Sequence, residues 1–172
     1  MTGGLLKDAM AHHIWATEQL IDACAALTPE QLREPTPGTY GPIIATLGHL
    51  VASDRWYLSF LREGTSQFDD ERDVSLDELR SAIASSGTAW TELVTEDLDP
   101  DTDIPELDNG VEVHSPIGVR LAQVVHHGSD HRSQVCTALT SLGVTPPDID
   151  VWAYARATGR ETAVPAPESS SA

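Results

Sequence analysis

The chain has 172 residues, 40% of them apolar, with two cysteines and a formal charge of −17; this suits one domain able to bury a core without disulfide staples. Ten basic residues face 27 acidic ones with no basic cluster, which excludes the phosphate-neutralising contacts needed for binding nucleic acid or an anionic membrane. No apolar run reaches the ~18–20 residues of a membrane span, and Met1 to Leu5 lacks the basic stretch and apolar block of a secretory leader, so a cytoplasmic address is expected, with Cys24 and Cys136 as small reduced thiols in helices.

Four segments carry helical periodicity. The first runs from about Leu5 to Leu27, with Leu5, Ala9, Ile14, Ala16, Leu20, Ile21, Ala23, Cys24 and Leu27 as its apolar face. Thr28-Pro29-Glu30-Gln31 reads as a cap with proline at the first helical position, opening a short turn that Pro35 and Pro37 close. A second long helix is predicted from Pro42 to about Arg62, followed by a polar loop from Gly64 to Asp73. The third opens at Ser75, with Glu78 at capping-box spacing, and continues through Leu79, Ile83, Trp90 and Leu93 to about Leu98. Asp108-Asn109-Gly110 between Ile104–Leu107 and Val111–His114 predicts a tight hairpin. Ser115-Pro116 then caps a fourth helix that runs to about Leu142 and ends at Gly143. A short amphipathic piece, Ile149 to Ala157, is expected to pack on the bundle, and Glu161 to Ala172 to be a disordered tail.

The predicted fold class is therefore all-α: one domain over residues 1–160, a four-helix bundle with a short hairpin between the third and fourth helices. The connections after the first and third helices are long enough to cross over, so up-down order is not required.

Of seven histidines, His127 and His131 lie four apart on the fourth helix. Four residues advance ~400° and rise ~6 Å, which stacks both rings on one face within reach of one metal ion. His131 lies on the apolar stripe through Ile117, Leu121, Val124, Gly128 and Val135, and His127 at its edge. His126 is turned ~100° from His127 and cannot share a site with it. A third ligand is required. His49, in Leu47-Gly48-His49-Leu50-Val51, is the candidate, because a solvated histidine is out of place in apolar sequence. The same histidines also suit a hydrogen-bonded surface pair and a satisfied core residue. His12 and His13 are expected on the helix surface and His114 in the hairpin. Trp15, Trp56 and Trp90 are expected as core or interface anchors, and Cys136 in the core. Asp130 and Glu18 read as solvated charges or as an outer shell for a ligand imidazole. Arg132 and Gln134 are expected to bond neighbouring helices, and Arg55 or Tyr57 to line the mouth of a pocket.

His13-Ile14-Trp15-Ala16-Thr17-Glu18-Gln19-Leu20, Thr46-Leu47-Gly48-His49-Leu50-Val51-Ala52-Ser53-Asp54-Arg55 and, most specifically, His127-Gly128-Ser129-Asp130-His131-Arg132-Ser133-Gln134 resemble motifs of the DinB/YfiT-like superfamily of metalloenzymes. The resemblance runs from about Leu5 to Arg156. It implies a three-histidine site of His49, His127 and His131 with an exchangeable position, and a homodimer paired through helix faces. Asp130 stands where many relatives have a further histidine and Ser133 where glycine is common; neither change removes a ligand.

Three neutral imidazoles and an open position suit zinc, and nickel, iron or manganese share the donor preference. Such an ion serves hydrolysis through bound water or activates a substrate thiol as thiolate. The family's characterised members, chiefly thiol-dependent transferases and isomerases, imply the second use. The expected function is metal-dependent S-transfer from a low-molecular-weight thiol to a small electrophile. Metal-dependent hydrolysis, or metal or ligand binding without turnover, is the alternative.

Overall fold

Local signals in the chain set most of the element boundaries. The computed structural model describes residues 3–63 and 74–164. Its elements are α1 (Gly3–Cys24), α2 (Pro29–Arg33), α3 (Ile43–Glu63), α4 (Leu76–Leu93), β1 (Asp103–Asp108), β2 (Val111–Pro116), α5 (Ile117–Ser141) and α6 (Val151–Ala157). The loop expected from Gly64 to Asp73 and residues 165–172 of the expected tail lie outside the described residues.

Both predicted capping boxes form: Thr28 with Gln31 opens α2, and Ser75 with Glu78 opens α4. In each, a hydroxyl takes an orphan backbone N–H while the third side chain returns to the cap. The hairpin pairs Asp108 with Val111, and its turn residues Asn109 and Gly110 have φ of 49° and 83°, as a two-residue type I′ turn demands. Gly143, at φ 76°, ends α5: its N–H reaches the Thr140 carbonyl and that of Val144 the Leu139 carbonyl, a Schellman closure.

Helix α1 ends at Cys24 rather than near Leu27, and two further boundaries differ from expectation. Ser115 does not cap α5. The orphan N–H groups of Ile117 and Gly118 instead reach the carbonyls of Thr102 and Pro100, each at 2.9 Å. The backbone before the hairpin does what a side chain was expected to do. Helix α4 stops at Leu93 rather than near Leu98. Glu92, Glu96, Asp97 and Asp99 crowd its carboxyl end, where the helix dipole is already negative, and the Thr95 hydroxyl donates to the Glu92 carbonyl at 2.7 Å.

Each of α1 and α3 packs beside both α4 and α5, so α1 faces α3, and α4 faces α5, across the bundle diagonals. Both connections that were long enough to cross over do so, one carrying α2 and the other the hairpin. Helices α3 and α5 run antiparallel: His49 meets His127 at one level and Phe60 meets Arg120 at another. The core between the four long helices is built on Met10, Leu20, Ile43, Leu47, Leu50, Ile83, Trp90 and Leu139. Helix α6 docks on α1 through Tyr154, which meets Trp15 and His12 edge-on. Among the described residues, no helix is long and apolar enough to cross a membrane.

Candidate metal centre

The antiparallel seam of α3 and α5 sets three imidazoles against one another. His49 Nε2 lies 3.1 Å from His127 Nε2. The ring of His131 is 4.9 Å from that of His49 and 4.4 Å from that of His127, centroid to centroid. One nitrogen from each residue falls within 4.8 Å of the other two. Two imidazole nitrogens on a tetrahedral zinc, each ~2.0–2.1 Å from it, lie roughly 3.3 Å apart. The donor set fits a divalent cation, and the spacing of His49 and His127 is close to that value.

The electrostatics favour the neutral, donating form of His127 and His131. Burial pushes His127 down to about 4, and the neighbouring His131 and His49 add to the shift. Burial also lowers His131, against the opposing pull of its hydrogen bond to Gln134. A depressed pKa means that the lone pairs are available at neutral pH, which is what metal ligation requires.

Gln134 follows His131 by three residues on α5 and was expected to bond a neighbouring helix rather than the site. It touches the site directly: its Oε1 lies 3.1 Å from His131 Nδ1. Three helical residues are side-chain neighbours, so the spacing itself held this signal. Tyr40, in the loop before α3, escaped the sequence reading altogether. Its ring stacks on His49 at 4.3 Å and meets His131 edge-on at 5.3 Å. Nothing periodic marks a loop residue, and its contact depends on chain folding back from far away. Tyr57 reaches the outer side of His127, with ring centroids 6.4 Å apart, and burial raises its phenol. Arg55 is exposed; six helical residues from His49 amount to ~240°, which turns it to another face.

His13 is the main correction. Expected at the surface, it is 1% exposed and continues the inward stripe of Met10, Ile14, Thr17 and Leu20. Its Nε2 lies 2.8 Å from Asp54 Oδ1, and Arg132 Nη1 lies 2.9 Å from its Nδ1. A guanidinium only donates, so Nδ1 carries the lone pair and the Nε2–H donates to Asp54. Trp90 Nε1–H donates to the other carboxylate oxygen at 3.3 Å. Arg132 also donates to Ser129 Oγ at 3.2 Å; burial pushes its guanidinium down to about 10 while Asp54 opposes the shift. Arg132 thus has the helix-bonding role expected of it. A Cβ at Gly128 would overlap the His13 ring at Cε1 and Nδ1, so glycine between the two α5 histidines makes room for a third histidine from α1.

The remaining residues fall outside the cluster. His12 is half-buried, with Nε2 2.8 Å from the Ile149 carbonyl. His114 sits in the hairpin as expected, between Asp103 and Glu112, which raise its pKa. His126 points away from His127 and lines an apolar cavity of about 510 Å³ with Leu6, Val94, Leu98, Ile117 and Leu121. Trp90 is a core anchor, whereas Trp15 and Trp56 are half-buried. Cys136 packs partly buried against the core and Cys24 fully within it.

The DinB family model matches residues 3–167, nearly the whole chain, and the chain belongs to the DinB family. No curated protein matches it.

Proposed function

For this member of the DinB family, we propose that His49, His127 and His131 hold one divalent cation, zinc first among those that suit three imidazoles, and that the protein transfers a low-molecular-weight thiol to a small electrophile. The observation that carries the reading is the approach of the two Nε2 atoms to 3.1 Å, from side chains 78 positions apart, with a third imidazole beside them. Neutral ligands would leave the cation's full charge to stabilise an incoming thiolate, which is the chemistry the ion supplies.

The chain's own residues bind and orient. Gln134 fixes one ligand ring, and Tyr40 covers one face of another. Neither cysteine is placed to serve as nucleophile: burial pushes Cys24 up to about 12 and raises Cys136 as well, against the thiolate character that reactivity needs. The reacting thiol is therefore assigned to a co-substrate, in agreement with the activities the family resemblance implies.

The test strips the protein with chelator, reloads it with zinc and follows conjugation of a chromogenic aryl halide with several small thiols. The reading expects conjugation that needs both zinc and thiol and disappears in His49→Ala. Ester hydrolysis without added thiol would replace it with a hydrolase. Stoichiometric zinc with neither activity would leave a binding module.

A further inference from the structure

Gln134 stands at the junction of three hydrogen bonds whose directions constrain one another. Its Nε2 lies 3.2 Å from Asp130 Oδ2. Its Oε1 lies 3.1 Å from His131 Nδ1 and 2.9 Å from the backbone nitrogen of Tyr40. A carboxylate only accepts, so the amide must turn its NH₂ to Asp130 and its oxygen to the other two. That oxygen can only accept, so His131 carries its proton on Nδ1. Nε2 is left as the one nitrogen of His131 with a lone pair to give.

The same oxygen anchors the loop that carries Tyr40. The loop meets α5 again at Thr36, whose Oγ1 lies 3.5 Å from Ser141 Oγ, and it folds on itself: Thr39 Oγ1 donates to the carbonyls of Thr36 at 2.8 Å and Gly41 at 3.0 Å, and Gly38 turns it at φ 81°. At Tyr40 the backbone N–H on Gln134 ties it to α5. The ring of Tyr40 then stacks on His49, so one amide reaches two of the three imidazoles, the first directly and the second through the loop.

We propose that Gln134 is a positioning residue. It selects the His131 tautomer able to ligate through Nε2 and holds the Tyr40 loop in register over His49, so that ligand set and cover are assembled by one side chain. The role in ligation rests on the metal reading above; the tautomer and the loop tie do not. Partners of this kind, which donate or accept at the second imidazole nitrogen, typically change metal affinity about 10–100-fold when removed.

The experiment uses the full chain with Gln134→Leu, which removes all three bonds, and Gln134→Glu, which keeps an acceptor for His131 and Tyr40. In metal-free protein, ¹⁵N-resolved imidazole spectra report the His131 tautomer and hydrogen exchange reports the Tyr40 amide; zinc affinity is measured by chelator competition. Expected is a proton on Nδ1 in the wild type, its shift toward Nε2 in Gln134→Leu, and Tyr40 exchange at least about tenfold faster. Zinc should bind about 10–100-fold more weakly in Gln134→Leu and recover in Gln134→Glu. An unchanged tautomer and unchanged exchange in Gln134→Leu overturn the proposal, as does wild-type zinc affinity in that variant. If the wild type takes up no zinc while the tautomer and Tyr40 exchange respond, the metal reading fails and the positioning role stands without its ligand.

Discussion

Histidine is used in two opposite ways within one bundle. His13 is sealed in the core with both ring nitrogens taken, one donating to Asp54 and one accepting from Arg132. His49, His127 and His131 are set nitrogen to nitrogen at a half-buried seam. A buried imidazole with a carboxylate on one side and a guanidinium on the other holds helices together. A cluster of imidazoles that face one another, with burial lowering the pKa of His127 and His131, offers its nitrogens to a cation. Partners on the two nitrogens, and not burial alone, separate a structural histidine from a candidate ligand.

The contrast makes its largest demand at His13. His13→Ala leaves Asp54 and Arg132 buried without the ring that joins them, and breaking such a pair costs about 3–5 kcal/mol. Urea unfolding should show that loss, with His13→Gln losing less because it keeps a donor and an acceptor. A loss below about 1 kcal/mol would place His13 among ordinary surface residues. Gly128→Ala comes next, since the new methyl overlaps the His13 ring; overpacking of this kind costs about 1–3 kcal/mol. The effect should shrink in the His13→Ala background, which a double-mutant cycle measures directly.

The third effect is pH dependence of the metal-free protein. His127 is held at about 4 in the folded chain, below its value of 6.5 when unfolded. Above pH 6.5 both states are neutral and the folded state keeps its full stability. As pH falls from 6.5 to about 4 the unfolded chain gains a proton that the folded one refuses, so stability declines across that window. His12 and His131 shift the same way. Discounted for partial exposure, the decline attributable to His127 is on the order of 1–2 kcal/mol, and it should vanish in His127→Ala. The smallest effect is that same variant at pH 7 without metal. Removing a half-buried imidazole that is neutral at this pH, and joined to its neighbour by one hydrogen bond, should change stability by less than about 1 kcal/mol, the reverse of His13→Ala.

Much of this architecture is written in short-range signals. The two capping boxes, the Asn109-Gly110 turn and the glycine stop at Gly143 each act within a few residues, and each forms where its residues stand. The pair His127 and His131 is legible for the same reason, since helical spacing alone puts both rings on one face. His49 needed its apolar surroundings and the family motif, because nothing local says that α3 crosses to α5 at that height. The buried role of His13 is not legible locally, because its partner Asp54 lies 41 residues away. The inward stripe Met10, Ile14, Thr17, Leu20 did mark its position, and giving weight to periodicity over polarity finds it. Gln134 and Tyr40, 94 residues apart, become a pair only through the crossover between α1 and α3.

The central claim is that α3 brings the third imidazole to the pair on α5. The most direct measurement is zinc per chain, after chelator stripping and reloading, for the wild type and for His49→Ala. One ion per wild-type chain and affinity lowered beyond detection in His49→Ala is the predicted result. A wild type that retains no zinc, or a His49→Ala variant that retains it as tightly as the wild type, would contradict the account.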